Sequence, residues 1–372
     1  MRLTAVLLAL VVCSSVALLG AASREDGRTG WIVIYQAPWE LHAITKDRRI
    51  ISVKSSDPEP PLGGNAIAVV PEQRLLIIDV DGVNIYRLSR TKQDGRVSHL
   101  IATPVSRLHD LGLEGVSRDG RLLVVTSKHD LEDRLLALPM MGRPQDVRKL
   151  PVSGRVTILR APASKAKDRG SLLALLKHPF VADDPSDLLV LDITAGPTSE
   201  LARLPSVLDA AWCQASGKLV AVLSPKSARK LNLKSNLVEW DFEKGRVKAL
   251  DRGMSFTPPI VDGGDYVVSG LASSDGSDTH ELAVISRAHA RGTLAHRAAR
   301  RILKVPGDPS NLYVTSDGRC LFLLAWPKPN AHSISRWARL ISYDMKTGKS
   351  NELAHESNHY VVIDDEEKAE VP

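Results

Sequence analysis

The chain has 372 residues and a formal net charge of +6, with 43% hydrophobic, 25% charged and 4% aromatic residues. This composition excludes an intrinsically disordered chain, and three cysteines in this length exclude a small domain stapled by disulfides. Because aromatic residues are scarce, Leu, Val, Ile and Ala must fill the core, and the length allows one large domain or two ordinary ones.

The N-terminal segment has the layout of a secretory signal. One Arg precedes an apolar run over 3–19, and small residues follow over 20–23. This order predicts cleavage after residue 23 and export to the periplasm or cell surface. The alternative is an uncleaved anchor that associates the protein with a membrane, since about 17 apolar residues approach the minimum span.

Small polar turns precede apolar runs at a near-constant interval of 50, 47, 47 and 54 residues. The turn glycines are Gly120, Gly170, Gly217, Gly264 and Gly318. A second motif, an Asp followed four residues later by a Gly, keeps the same interval and predicts a hairpin between two strands. It occurs at Asp192/Gly196, Asp241/Gly245 and Asp344/Gly348.

One repeat contains four short predicted strands, for example over 208–214, 218–224, 236–242 and 246–250. Apolar residues are nearly continuous in the second strand, as expected for a strand that is covered on both faces. An interval of about 48 residues with four strands is the spacing of a propeller blade. The sequence therefore predicts an all-β fold, a β-propeller with four-stranded blades.

The number of blades follows from the interval. The 342 residues from 31 to 372 hold about seven intervals, and six complete units run from 67 to about 353. The two chain ends together supply four more strands, so we predict a seventh blade that is closed by both termini. Six or eight blades are the alternatives. The predicted domains are a signal peptide or N-terminal anchor over 1–23 and one propeller over 24–372 with an acidic tail over 364–372.

The turns with the sequence Asp-Gly-Arg at 119–121 and 317–319 precede apolar strands, and Leu-x-x-x-Asp-x-x-x-Gly follows in the hairpin motif. This pattern resembles the WD-like repeats of exported bacterial propellers such as the TolB type. The resemblance covers most of the chain after the signal and implies a periplasmic or cell-surface scaffold. The family turn usually has Pro before Asp-Gly, where this chain has Arg118 or Ser316, and TolB-type proteins carry a separate N-terminal α/β domain for which this chain has no room.

A Lys ends the predicted second strand in four repeats, at intervals of 49, 49 and 102 residues. These are Lys128, Lys177, Lys226 and Lys328, with His129, His178 and His332 close by. Equivalent positions of a radial repeat converge, so the lysines predict a partial ring on the face with the longer loops, suited to an anionic ligand. The alternative is that each Lys only marks where a strand leaves the core.

Other motifs indicate less chemistry. The run over 287–301 holds five Arg and two His and is predicted to be a short helix or a solvated loop. An export signal argues against nucleic acid as a partner. Acidic stretches over 183–187 and 275–278 are attributed to loop polarity rather than a calcium site, and no metal or cofactor is predicted. Cys213 and Cys320 are expected to be free, buried thiols.

The sequence therefore predicts a monomeric, non-catalytic, exported propeller whose loop-rich face binds a protein partner or an anionic ligand. The alternative is a propeller enzyme of lactonase or hydrolase type with its site in the central channel, where His109, Asp110 and Glu114 are candidates for acid–base work. A purely structural component of the cell envelope is a third possibility.

Overall fold

The computed structural model describes most of the chain between residues 30 and 365. The described residues are 30–37, 40–56, 64, 67–70, 74–93, 96–117, 120–127, 135–140, 147–152, 154–159, 172–179, 184–193, 198–213, 217–251, 255–271, 280–287, 300–315, 317–327 and 337–365. The predicted signal over 1–23 and the end of the acidic tail over 366–372 lie outside this part. Within it, no helix is long and apolar enough to cross a bilayer.

Antiparallel strands dominate the described residues. The first fourteen are β1 (Gly30–Ala37), β2 (Glu40–Thr45), β3 (Ile50–Ser55), β4 (Ile67–Val70), β5 (Leu75–Asp79), β6 (Val83–Gln93), β7 (Arg96–Leu108), β8 (Leu111–Val116), β9 (Leu122–Ser127), β10 (Leu135–Pro139), β11 (Arg148–Lys149), β12 (Val156–Ile158), β13 (Leu172–Lys177) and β14 (Ser186–Asp192). The others are β15 (Ser199–Trp212), β16 (Leu219–Leu223), β17 (Leu237–Asp241), β18 (Arg246–Ala249), β19 (Phe256–Asp262), β20 (Tyr266–Leu271), β21 (His280–Ser286), β22 (Arg300–Val305), β23 (Asp308–Val314), β24 (Cys320–Trp326), β25 (Ala338–Asp344), β26 (Ser350–Ser357) and β27 (Tyr360–Asp365). A short helix, α1 (Pro225–Lys230), follows β16.

The strands form five sheets. Three are simple four-stranded antiparallel sheets, β8–β11, β19–β22 and β23–β26. A seven-stranded sheet runs from β12 to β18, and an eight-stranded sheet has the order β27-β1-β2-β3-β7-β6-β5-β4. Sheets of four antiparallel strands that follow one another along the chain are the architecture of a β-propeller, and each group of four strands is called a blade below.

The two larger sheets consist of blades that are joined. In the seven-stranded sheet, β15 pairs with β14 through its first half and with β16 through its second half, so it ends one blade and starts the next. Ser206, between the halves, has a φ of +60°. This left-handed residue bends the strand at the change of partner.

Both chain ends share one blade. β27 pairs antiparallel with β1 from Gly30↔Asp365 to Tyr35↔Tyr360, and β2 and β3 complete the blade. A strand from the C-terminus beside strands from the N-terminus is the arrangement that the leftover segments predict. Asp364 and Asp365, which the sequence assigns to the acidic tail, belong to β27.

The joint between the terminal blade and the β4–β7 blade was not predicted. The β6–β7 hairpin is long, with 11 and 13 residues, and the first part of β7 pairs in parallel with β3. Ser52 lies opposite His99, and their Oγ and Nδ1 atoms are 3.0 Å apart. The outer edge of the terminal blade is therefore covered by a strand of the next blade, which removes one exposed sheet edge.

The predicted turn glycines have the backbone that the prediction requires. Gly120, Gly217 and Gly318 have φ values of +68°, +67° and +67°. Only glycine adopts this conformation without strain, so the recurrence along the sequence reflects one recurring turn. Gly170 lies outside the described residues.

The apolar cores fill the spaces between blades; one contains Leu75 and Ile85 of one blade with Leu123 of the next.

Candidate functional site

The structure describes three of the seven residues predicted for the anionic site. Lys177, Lys226 and His178 are described, and the predicted Lys128, His129, Lys328 and His332 lie outside the described residues. The predicted ring can therefore be compared with the structure only in the β12–β15 and β15–β18 blades.

The sheet register brings the two described lysines to the same end of the sheet. Lys177 pairs with Asp187, the neighbouring Ser186 pairs with Val207, and Val207 pairs with Leu223. This row of pairs therefore leads from Lys177 across the bend in β15 to the end of β16. Lys226 follows three residues after that end.

Lys226 does not end a strand, which corrects the prediction. It lies in the first turn of α1, where its side chain is exposed. The Ser224 hydroxyl accepts a hydrogen bond from the Ser227 amide, and Pro225 occupies the first helical turn, which its fixed φ favours. The helix carries Lys226, Arg229 and Lys230, so this corner of the blade has more positive charge than one strand-end lysine would supply.

Lys177 is the last residue of β13, as predicted, but acids surround it. Asp187 lies directly opposite in the register, and the charge of Lys177 is among the influences that lower the pKa of Glu200, after those of Arg203. Arg203 forms ion pairs with Asp187 at 3.2 Å and Glu200 at 2.8 Å. The rim beside Lys177 is therefore a mixed-charge surface.

His178 is held between two hydroxyl groups. Its Nε2 lies 2.8 Å from the Thr157 hydroxyl and its Nδ1 lies 2.9 Å from the Ser186 hydroxyl. Burial, and then the positive charge of Arg155, lower the pKa of the imidazole. A neutral ring has one nitrogen that donates and one that accepts, which matches two hydroxyl partners. Thr157, His178 and Ser186 are called the His178 cluster below.

The channel residues proposed for the enzyme alternative are not arranged as a pair. His109 and Asp110 form the exposed turn between β7 and β8 rather than lying in a strand that lines the channel. Glu114 sits at a bulge in β8 and accepts a hydrogen bond of 3.1 Å from the Thr126 hydroxyl. Of the described residues, no three His, Cys, Asp or Glu are grouped as a metal site would require.

The opposite end of the sheets holds an ion network that sequence reasoning missed. Arg287 binds Glu239 at 2.6 Å and also forms an ion pair with Asp262, while Lys218 binds Glu239 at 3.0 Å. Asp262 and Arg287 belong to the β19–β22 blade, and Glu239 and Lys218 to the blade before it. Arg287 was predicted to begin a solvated basic loop, yet its side chain is only 10% exposed and that of Asp262 is fully buried.

The network favours the charged forms of Arg287 and Glu239. Burial works against ionisation of Arg287, but the charge of Asp262 and the hydrogen bonds to Asp262 and Glu239 raise its pKa above the ordinary value. Lys218 and Arg287 likewise lower the pKa of Glu239 against the effect of burial. A network of this kind fixes two blades together, which is a structural role. Lys218, Glu239, Asp262 and Arg287 are called the interblade network below.

A third carboxylate crosses the same blade interface, and no cation among the described residues forms an ion pair with it. Asp209, in β15, accepts hydrogen bonds from the amides of Ala210 at 2.8 Å and Ile260 at 3.0 Å. Burial raises its pKa to about 6. Asp79 makes a similar bond of 3.1 Å to the amide of Leu113 in the next blade. The donor amides of Ile260 and Leu113 both lie at bulges in the first strand of a blade.

Comparisons with known proteins support the architecture. No protein-family model matches the chain, and no characterised protein matches its sequence. Among solved structures, a puromycin hydrolase aligns over 88% of this chain and 52% of its own, with 15% identity and a TM-score of 0.51. An oligogalacturonate lyase in complex with manganese aligns over 87% of this chain and 83% of its own, with 11% identity and a TM-score of 0.50.

These similarities concern the fold alone, because the identities are so low. The chain spans about half the length of the puromycin hydrolase that it matches. A putative TolB from Agrobacterium tumefaciens aligns over 87% of this chain and 88% of its own, at 14% identity and a TM-score of 0.41, which is too low to argue from. What the chain shares with solved structures is its propeller architecture.

Proposed function

We propose that the protein is an exported β-propeller that binds an anionic ligand, or the acidic surface of a partner, on its loop-rich face. The observation that carries this proposal is the register that brings Lys177 and the cationic helix α1 to one end of neighbouring blades. Arg155 is exposed at the same end, beside His178. Positive charge that converges on a rigid scaffold raises the local concentration of anions.

We also infer a ring of seven blades and a monomeric state. The joined sheets support this count: the eight-stranded sheet contains two groups of four strands, the seven-stranded sheet contains two that share β15, and three sheets contain one each. Export rests on the N-terminal segment alone. We likewise propose, without a structural observation behind them, the signal or anchor, the periplasmic or surface location and the monomeric state.

The ligand class is tested by thermal denaturation with defined probes. The probes are inorganic phosphate, inorganic sulfate, a galacturonate oligomer and an oligoglutamate peptide, each at low ionic strength. A ligand present at 100 times its Kd stabilises the folded state by about 2.7 kcal/mol, which raises the Tm by a few degrees. At least one probe should raise the Tm of the native protein.

The matched variants localise the effect. Lys177→Gln with Lys226→Gln should remove most of the shift, and adding Lys128→Gln and Lys328→Gln should remove the rest. Lys244→Gln with Lys349→Gln removes the same charge from exposed turns at the opposite end of the blades and should leave the shift intact. Equal losses in the two double variants, or no shift with any probe, would contradict the proposal.

A second candidate is a propeller enzyme. Two observations favour it: two of the matching solved structures are named as a hydrolase and a lyase, and His178 is held as a neutral imidazole between hydroxyls. Incubation with puromycin and with oligogalacturonate, followed by product analysis, tests this candidate. Turnover that His178→Gln abolishes would favour the enzyme, and absence of product with both substrates would count against it.

A further inference from the structure

The end of β27 lies in line with a basic turn of the same blade. Ile363 pairs with Ile32, and Ile32 pairs with Thr45. The Thr45 amide donates a hydrogen bond of 3.1 Å to the carbonyl of Arg49, the last residue of the β2–β3 turn. The C-terminal strand therefore leaves the sheet at the end where this turn lies.

The tip of the β6–β7 hairpin reaches the same place. The Arg49 guanidinium donates a hydrogen bond of 3.3 Å from Nη2 to the carbonyl of Val97, near the start of β7. Lys92 pairs with Val97 in the hairpin register. The parallel joint between β3 and β7 thus brings together a turn and a hairpin tip that are distant in sequence.

This end of the sheet is rich in exposed cations. The β2–β3 turn contains Lys46, Arg48 and Arg49 against a single acid, Asp47, which pairs with Arg49 at 2.6 Å. Lys92 and Arg96 add two exposed cations from the hairpin, and none of the described residues of β6 and β7 is acidic. The surface formed by Arg48, Arg49, Lys92 and Arg96 is called the basic corner below.

The neighbouring blade on the other side of β27 presents both charges, because Asp317 and Asp344 lie with the exposed Arg319, Lys346 and Lys349. Burial, with the charges of Asp317 and Asp344, raises the pKa of the Cys320 thiol to about 12. Asp364 adds to the same effect, so it lies near this acidic group. Opposite charges therefore offset one another on the side of β24, whereas the basic corner on the side of β3 has a clear excess of cations.

The sequence after β27 is acidic and long enough to extend across the basic corner. Residues 366–372 are Glu-Glu-Lys-Ala-Glu-Val-Pro, so Asp364, Asp365, Glu366, Glu367 and Glu370 oppose one Lys. β3 is three strand spacings from β27, about 14 Å, and β7 is about 19 Å away. Seven extended residues span about 23 Å. The acids can therefore reach Arg48, and the end of the segment can reach the hairpin tip.

We propose that the acidic C-terminal segment docks on the basic corner as an intramolecular strap. Glu366 and Glu367 pair with Arg48 in the β2–β3 turn, and Glu370 pairs with Lys92 or Arg96 at the hairpin tip. Each exposed ion pair is weak, but the covalent tether gives the acids an effective concentration in the millimolar range or above, so several weak pairs act together. Salt should release the strap, because exposed charges are screened.

A spin label on the strap tests this placement in the full chain. Ala369→Cys is labelled in a Cys13→Ser background, and Cys213 and Cys320 are poorly reactive because one is buried and the other has a raised pKa. At low ionic strength the label should broaden the NMR amide signals of residues 46–49 and 92–97. At about 0.5 M salt, where the screening length is only a few Å, the signals should recover.

Two variants with equal charge loss give the control. Arg48→Gln, Lys92→Gln and Arg96→Gln together should abolish the broadening at low salt. Lys244→Gln, Arg246→Gln and Lys349→Gln remove three exposed cations from other turns and should preserve it. Broadening at residues 317–319 and 344–349 instead, broadening spread over the whole propeller, or none at low salt would overturn the proposal. None of these outcomes depends on ligand binding at the loop-rich face.

Discussion

The interblade network and the His178 cluster show two ways of placing ionisable groups in one propeller. In the interblade network, the fully buried Asp262 and the almost buried Arg287 pair within one blade, and Glu239 of the preceding blade supplies a second carboxylate to Arg287. In the His178 cluster, burial and a nearby cation lower the pKa of the imidazole, and hydroxyl groups complete its hydrogen bonds.

This difference bears on the binding surface that we propose. The carboxylates and cations of the interblade network pair with one another across two blades, so the network contributes to the joint between them. The His178 cluster keeps its ring neutral while the exposed Arg155 and half-buried Lys177 lie beside it. A binding surface needs charges that a ligand can reach. The surface around Arg155 and Lys177 has such charges, whereas Arg287 and Asp262 are buried at the blade interface.

Removing the central cation of the interblade network should have the largest effect. Arg287→Met leaves the buried Asp262 without its counter-charge, so we expect the free energy of unfolding to fall by about 3–5 kcal/mol at pH 7. Urea denaturation followed by tryptophan fluorescence measures the loss. Arg203→Met removes two ion pairs at the surface, with Asp187 and Glu200, and should cost less than about 1 kcal/mol. Similar losses in the two variants would show that burial does not distinguish these pairs.

Asp209 refines the comparison because it crosses the same interface with only amide partners. Its pKa of about 6 lies above the ordinary value of 3.8, so the folded state binds the proton more tightly than the unfolded state. The stability of the native protein should therefore rise, relative to Asp209→Asn, as the pH falls from 7.5 to 4.5. The gain should be about 2 kcal/mol. A difference between the two proteins that does not change with pH would contradict the raised pKa.

The recurring turns explain why the architecture could be predicted from sequence. Gly120, Gly217, Gly264 and Gly318 recur because each turn needs a positive φ, and a short-range requirement of this kind leaves a visible pattern. The strands between them match closely: 218–224 and 236–242 were predicted, and β16 and β17 cover Leu219–Leu223 and Leu237–Asp241.

Long-range pairs left no such pattern. Arg287 meets Asp262 and Glu239, which lie 25 and 48 residues earlier in the chain, so its basic neighbours in sequence suggested a solvated loop. The parallel pairing of β3 with β7 has no counterpart in the repeat. Helix α1 does have a local signal, since Ser224 followed by Pro225 is typical of a helix start.

The smallest expected effect concerns the charge beside the His178 cluster. Burial is the main cause of the lowered pKa of His178 and Arg155 is the second, so Arg155→Gln should raise this pKa without restoring the ordinary value of 6.5. A proton titration of the His178 ring by NMR measures the change, with Arg121→Gln, an exposed arginine at the opposite end of the blades, as the control.

Stability provides an independent check on that titration. A lowered pKa means that the folded state resists protonation of His178, so its contribution to stability is complete above pH 6.5 and declines as the pH falls below it. The contribution of Asp209 to stability is expected to change in the opposite direction, because it rises as the pH falls. It should become shallower in Arg155→Gln, because the repulsion that opposes protonation is weaker, and an unchanged decline would leave burial as the sole cause. The two groups would then differ only in the sign of the charge that burial disfavours.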